Sequence, residues 1–296
     1  MKILLLTGGG SSERQVSLKS AKNVKNALIE NGHKVKLYDL RKGYNQIKKM
    51  SKEFDILFPV LHGEEGEGGK LHKFLSKINK PIVETRNYKG LRNAWHKISF
   101  KKYCDKYKIK TSPWKIVKNK KDIAIFGLPC VLKASSGGSA REVVIIKTAK
   151  DLNTKEVNYL LNGSDLLFVE KYLPGVEVTV GILNGKALPI IEIIPPKNSW
   201  FSYKNRYNNE SKEIPFAPSI DKKIQKKLKT LTLKIHNHFI LGTFSRSDFM
   251  IYKNRPYILE VNTIPGLTSG SLIPKAAKAA GISFNKFVEI LIKNAK

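Results

Sequence analysis

The stretch Ser245-Arg246-Ser247-Asp248-Phe249-Met250-Ile251, then Tyr252-Lys253-Asn254-Arg255-Pro256, then Tyr257-Ile258-Leu259-Glu260-Val261-Asn262 alternates polar and apolar residues on both sides of a short polar turn. Two runs of period two joined by such a turn read as an antiparallel hairpin. With the turn centred on Asn254, Asp248 lies opposite Glu260 and Arg246 opposite Asn262. All four share one face because their positions differ by even steps, and Phe249, Ile251, Leu259 and Val261 form the other. Directly opposed carboxylates repel, whereas a hard cation with oxygen ligands turns that repulsion into attraction. On the hairpin alone two readings stand: a metal-holding face and a solvated polar face.

The segment that follows, Thr263-Ile264-Pro265-Gly266-Leu267-Thr268-Ser269-Gly270-Ser271-Leu272, is rich in turn residues and opens an expected helix from Ile273 to Ala280. Helix N-termini attract anions, so cation ligands beside such a turn point towards phosphate chemistry. The chain has no GxxxxGK[ST] motif and is not a P-loop enzyme. A different loop, Ser135-Ser136-Gly137-Gly138-Ser139, follows the expected strand Cys130–Lys133. Its backbone N–H groups are candidates to cover phosphates, with Lys97 and Lys133 as point charges. A plain turn between two strands is the alternative reading of the same glycines.

Further outward, the first ~90 residues read as a small α/β unit whose ligands belong at its strand ends. Residues 3 to 7 are an apolar strand, Gly8-Gly9-Gly10 a loop, and Val16, Ala21, Val24 and Leu28 recur at helical spacing. Val35 to Tyr38 and Asp55 to Leu61 are further strands. A helix is expected from Ala94 to Tyr107, and strands at Val143 to Lys147, Leu167 to Lys171, Val176 to Leu183 and Leu188 to Ile194. His62 lies in a glycine-rich stretch after an apolar strand, where a ligand contact and a loop-bracing role are both open. His236 and His238 read as structural, and Glu170, Lys171 and Glu177, each judged singly, as surface charges.

Composition bounds the rest. The chain has 296 residues, 41% apolar and 26% charged, a globular profile of two or three domains. No apolar run reaches the roughly 18 residues of a membrane span. The opening Lys2 to Leu6 is too short for a signal peptide. Cys104 and Cys130 form no metal or disulfide spacing, so a reducing, cytoplasmic setting is expected. The 54 basic and 24 acidic residues give a net charge of +30, yet only eight of the basic residues are arginines, and the lysines are scattered along the chain. Specific nucleic-acid readers lean on arginine and clustered patches, so the lysines read as a solvated surface that still draws in anionic small molecules. Neither a nucleic acid nor a membrane is expected as a partner.

Taken together, these motifs resemble the D-alanine:D-alanine ligases of the ATP-grasp superfamily over essentially the whole chain. Segments similar to that family run in order: Gly8-Gly9-Gly10-Ser11-Ser12-Glu13-Arg14-Gln15-Val16-Ser17, His62-Gly63 through Gly69, Gly127-Leu128-Pro129 to Lys133, Glu170-Lys171-Tyr172-Leu173 through Glu177, Tyr203 to Tyr207, then Asp248, Glu260-Val261-Asn262-Thr263, Pro265-Gly266 and Ser271-Leu272. The resemblance implies an α/β fold of three-domain ATP-grasp architecture with an N-terminal doubly wound α/β domain, divided here as 1–88, 89–176 and 177–296. It implies that ATP phosphorylates the carboxylate of a first D-alanine and that the amine of a second attacks the acyl phosphate.

By the same resemblance, Lys97, Lys133 and Arg206 contact phosphates, Glu170, Lys171 and Leu173 the adenine, and Glu177 the ribose, while Trp200 and Leu259 line the base pocket. Asp248, Glu260 and Asn262 hold Mg2+ or Mn2+. Arg246 stabilises the transferring group, Ser139 belongs to the phosphate loop, and His62, Gly266, Ser271 and Leu272 contact the amino-acid substrates. Tyr207 matches the tyrosine of ligases that take alanine second. Gln15 stands where the family places a glutamate that receives the first ammonium, which keeps open a ligase of altered first-substrate specificity. A catalytically weak nucleotide-binding homologue is a further alternative. A homodimer is implied by the family alone.

Overall fold

The structure is a computed structural model that describes every residue except 139–141, 164, 198, 201–204 and 206–209. In the first sheet, strand β1 (Lys2–Thr7) lies between β2 (Lys34–Asp39) and β3 (Ile56–Pro59), parallel to both. Ile3 to Leu6 are fully buried, the continuous apolar run of a strand covered on both faces. Helix α1 (Arg14–Glu30) makes the crossover to β2 and buries Ala21, Val24 and Leu28. Helices α2 (Asn45–Met50) and α3 (Lys70–Leu75) complete this unit.

The helix expected from 94 to 107 is two helices, α4 (Tyr88–Trp95) and α5 (Lys97–Lys106). The chain breaks at His96, whose ψ of 107° is extended and whose side chain accepts from the Ser99 N–H as the cap of α5. Both helices pack on the third sheet: Leu91, Ala94, Phe100 and Tyr103 share one core with Val178, Val180 and Ile251. By packing, then, residues 88–106 side with the C-terminal strands.

The second sheet holds β4 (Trp114–Val117), β5 (Cys130–Ala134), β6 (Val143–Ile146) and β7 (Leu167–Lys171) in the antiparallel order β4-β7-β5-β6, backed by α6 (Lys120–Phe126) and α7 (Lys155–Leu161). The third sheet has six strands: β8 (Val176–Leu183), β9 (Lys186–Ala187), β10 (Ile191–Ile194), β11 (Lys212–Pro215), β12 (Phe244–Tyr252) and β13 (Arg255–Asn262). The strand expected from Leu188 starts only at Ile191; Pro189, with no N–H to donate, holds it back. Helices α8 (Lys222–Phe239), α9 (Leu272–Ala279) and α10 (Phe284–Lys293) finish the fold. Among the described residues no helix is long and apolar enough to cross a membrane.

The hairpin that opened the sequence reading is β12–β13. Arg246 pairs with Asn262 and Asp248 with Glu260, as the alternation requires. The turn is the two-residue Lys253–Asn254, both with positive φ (48° and 55°), a geometry that matches strand twist. That tighter turn offsets the pairing by one, and a bulge between Asp248 and Phe249 restores it, so Phe249 faces Ile258. Ile258 therefore takes the core position expected for Leu259. Leu259, released from the core, lines the neighbouring cleft.

Candidate active site

Two clefts converge on this hairpin. The first, between the second and third sheets, is lined by Lys133, Glu170, Lys171, Leu173, Glu177, Trp200, Asp248 and Leu259. The second, against the N-terminal unit, is lined by Gln15, His62, Arg246, Asn262, Gly266, Ser271 and Leu272. Lys97, Gly137, Gly138 and Glu260 line both, so the clefts meet where these four stand. Residues far apart in sequence are thereby brought to one place, while Ser139, Arg206 and Tyr207 fall outside the described residues.

Lys97 opens α5, and the break at His96 sets it there: its backbone N–H donates to Ser135 O at 2.9 Å. Its ammonium donates to Gly137 O at 2.8 Å and stands 3.6 Å from a Glu260 oxygen. Lysine and glycine loop are thus fastened to each other. Glu170 is 2% exposed, not a surface charge. Lys133 meets its Oε1 at 2.5 Å and Lys101 meets Oε2. Burial alone pushes this carboxyl up, but the two ammoniums bring it down to about 2.

Asp248 is also buried, and its oxygens collect donors. Arg246 binds in a fork, Nε to Oδ1 at 2.9 Å and Nη2 to Oδ2 at 2.8 Å. Asn262 Nδ2 adds 3.0 Å and Thr179 Oγ1 adds 2.5 Å. Burial opposes the Arg246 charge, and Asp248 overcomes that and raises its pKa. The solvated-face reading of the hairpin is excluded, because Arg246 and Asp248 are each about 5% exposed or less.

The second cleft sets a buried carboxylate close to Gln15. Gln15 is exposed at its lip, whereas Glu13, two positions earlier, is 4% exposed and lines the cleft. Around the first turn of α1, positions two apart point in nearly opposite directions, so Glu13 is buried while Gln15 stays at the exposed rim. A Cβ on Gly138 would lie 2.8 Å from Glu13 Oε2, so a glycine is what lets the loop come this close to the carboxylate. Glu13 belongs to the same Gly8–Ser17 motif, and the helix start at Arg14 is the signal in the sequence that it, and not Gln15, is the buried one.

His62 is buried, held neutral by desolvation against the pull of Glu13, and its Nε2 has no partner among the described residues. Glu67, missed in the sequence, is buried in the same wall, accepts from Gly63 N–H at 3.1 Å, and is pushed up to about 8 by burial and by Glu13. Ser271 stands at the N-cap position of α9, and its hydroxyl, free of a capping bond, exchanges a hydrogen bond with Thr268 Oγ1 at 2.8 Å that braces the turn after Gly266. His236, by contrast, is a brace: Nδ1 to Ser245 Oγ at 2.7 Å and Nε2 to Gly242 O at 3.0 Å.

Residues 102–293 match the family model described as D-ala D-ala ligase C-terminus. The chain is 36% identical to a D-alanine–D-alanine ligase of Maridesulfovibrio salexigens, over 99% of this chain and 98% of that one. It is 35% identical to the enzyme of that name from Aquifex aeolicus, over 99% and 100%. A crystal structure of D-alanine–D-alanine ligase from Bacillus anthracis superposes with a TM-score of 0.84 at 28% identity, covering 99% and 97% of the two chains; the same enzyme complexed with ATP gives 0.83. Full-length likeness, and clefts built from the residues the resemblance singled out, lead to one conclusion: this chain belongs to the D-alanine–D-alanine ligase family.

Proposed function

We propose that the protein is an ATP-dependent ligase that joins two D-alanines into D-alanyl-D-alanine for peptidoglycan, through an acyl phosphate. One observation carries this reading. A lysine-lined cleft and a second cleft with a buried carboxylate open into each other at Lys97, Gly137, Gly138 and Glu260. Phosphoryl transfer between two bound molecules needs such a junction.

In the first cleft, Glu170, Lys171, Leu173, Trp200 and Leu259 take the base, Glu177 the ribose, and Lys97 and Lys133 the phosphates. Arg206, in the 201–209 segment, adds to the phosphate contacts. In the second, Glu13 receives the ammonium of the first D-alanine, the role expected of Gln15, and His62 offers its open Nε2. Gly266, Ser271 and Leu272 hold the substrate from the α9 side, and Tyr207 is assigned to the second alanine by the resemblance. The first carboxylate oxygen attacks the γ-phosphorus, and ADP leaves. The second amine then adds to the carbonyl, the oxyanion faces Arg246, and phosphate departs with one former carboxylate oxygen while the amine gives up a proton.

The donor set fits a divalent cation. Asp248 and Glu260 are cross-strand neighbours, Asn262 adds an amide oxygen, and among the described residues no cluster of three or more acidic, His or Cys side chains exists to cage a metal alone. Few protein oxygens plus substrate phosphates is how Mg2+ is usually held. Mg2+ or Mn2+ at Asp248, Glu260 and Asn262 supplies charge neutralisation to the transferring group. Three domains at the three sheets, a cytoplasmic location and a homodimer complete the proposal.

Phosphate release from ATP across a panel of D- and L-amino acids, with products weighed by mass spectrometry, tests it. Release with D-alanine and formation of its dipeptide is the expected result. Release only with another amino acid supports a ligase of altered specificity, and silence despite ATP binding a catalytically weak homologue.

A further inference from the structure

Beneath the base end of the first cleft lies a polar strut that lines neither cleft. Lys101, on α5, is 1% exposed and is absent from both cleft walls. Its ammonium meets Glu170 Oε2 and donates to Thr111 Oγ1 at 2.5 Å. Thr111 Oγ1 in turn donates to Ile258 O at 2.7 Å, and the Ile258 N–H donates to Lys110 O at 3.0 Å. Ile258 is the residue before Leu259, the side chain that the β13 bulge turns into the cleft. One buried ammonium thus ties α5, β7 and β13 together directly behind two residues of the cleft wall.

Chemistry gives the strut a consequence. A carboxylate only accepts hydrogen bonds, so Glu170 favours a base edge that carries an exocyclic amino donor and repels one that presents a carbonyl oxygen there. That preference depends on where the carboxylate points. Lys133 alone cannot fix it, since Lys133 itself lines the cleft and also faces Glu177 and Glu260. Lys101 has Glu170 as its carboxylate ion-pair partner, and Thr111 Oγ1 anchors it towards β13.

We propose that Lys101 is a positioning residue for nucleotide selection: through Glu170 and the Thr111–Ile258 link it holds the acceptor and the Leu259 wall in register, favouring amino-bearing purines over oxo-purines. This rests on reading the first cleft as the nucleotide site. Lys101 touches no ligand and acts only through its neighbours.

The test uses Lys101→Met, Lys101→Arg, Thr111→Val and Glu170→Gln in the full chain, reading KM and kcat with ATP and with inosine triphosphate, alongside Tm. Lys101→Met is expected to raise the KM for ATP about tenfold, shrink the preference for ATP over inosine triphosphate, and leave kcat at saturation within about threefold. Lys101→Arg is expected to restore most of the preference. Lost thermal stability with unchanged KM and unchanged base preference overturns the proposal, because that is what a purely structural lysine gives. Should Lys101→Met not fold, Thr111→Val keeps both charges, and a rise of about threefold in KM with a narrowed preference is expected; no change overturns the proposal. Glu170→Gln separates the two levels. If it leaves ATP use and preference untouched, the nucleotide reading of the cleft fails. If it alters them while Lys101→Met and Thr111→Val do not, only the role of Lys101 fails.

Discussion

The carboxylates buried around the two clefts fall into two sets that burial alone does not distinguish. Glu170 and Asp248 face ammonium, guanidinium and hydroxyl donors, and Glu170 stays ionised to about 2. Glu67 and Glu84, on the N-terminal side, have far weaker compensation, and the charge of Glu67 adds to the upward push on Glu84. Glu67 is pushed up to about 8, and Glu84, 1% exposed with both carboxyl oxygens lacking hydrogen-bond partners among the described residues, is raised well above its usual range. Partners, not depth, decide which carboxyl carries charge. The ionised set sits in the cleft proposed to handle phosphates and a cation. The protonated set lies towards the wall proposed to receive the net-neutral amino acid.

The comparison is broken most severely at Asp248. Asp248→Asn keeps the shape and removes the charge, leaving Arg246 buried without its counter-ion. Turnover is expected to fall on the order of a thousandfold, and stability by about 3 kcal/mol, read by steady-state kinetics and denaturant melts. Turnover within a few-fold of the parent removes the metal and oxyanion assignments together.

Glu13 is the carboxylate the substrate itself is proposed to pair. Glu13→Gln is expected to raise the KM for the first D-alanine by about ten- to a hundredfold, with Gln15→Glu changing it less than about twofold. The opposite ranking returns the role to Gln15.

Glu67 sharpens the protonated side. Its ordinary pKa is 4.5 and its folded value about 8, so between them the folded chain holds a proton that the unfolded chain has released. The stability this contributes is complete below about 4.5 and drains away as pH rises through about 8. Tm followed from pH 5 to 8.5 is expected to fall more steeply in the parent than in Glu67→Gln; parallel curves contradict the assignment.

The smallest effect is expected at Glu84, whose φ of 92° suits glycine. Glu84→Gly removes an uncompensated buried carboxyl and a left-handed side chain at once, and a gain of about 1 kcal/mol is expected near neutral pH. A loss shows that the carboxyl has a compensating partner.

The sequence made the local pieces legible because each has a short-range cause. Alternation placed Asp248 opposite Glu260, and the helical spacing of Ala21, Val24 and Leu28 placed α1 behind its glycine loop. What it did not show depended on contacts between distant segments. The bulge at Leu259 arises from the two-residue turn at Lys253–Asn254, one residue tighter than a turn centred on Asn254. Residue 96 has mid-helix spacing, and the Ser135 loop that engages it lies 39 positions away. Lys101 has no local mark at all among 54 basic residues; only the fold sets it against Glu170 and Thr111. Gln15 and Glu13 show the middle case: the motif is local, but which of its side chains is buried depends on where α1 starts.

The central claim is that a carboxylate from the second cleft attacks phosphate from the first where Lys97 and Glu260 stand. D-alanine labelled with oxygen-18 in its carboxylate tests it directly when supplied with ATP and Mg2+. The account predicts that each dipeptide formed is matched by one labelled oxygen in the released phosphate. Dipeptide accompanied by unlabelled phosphate would contradict it.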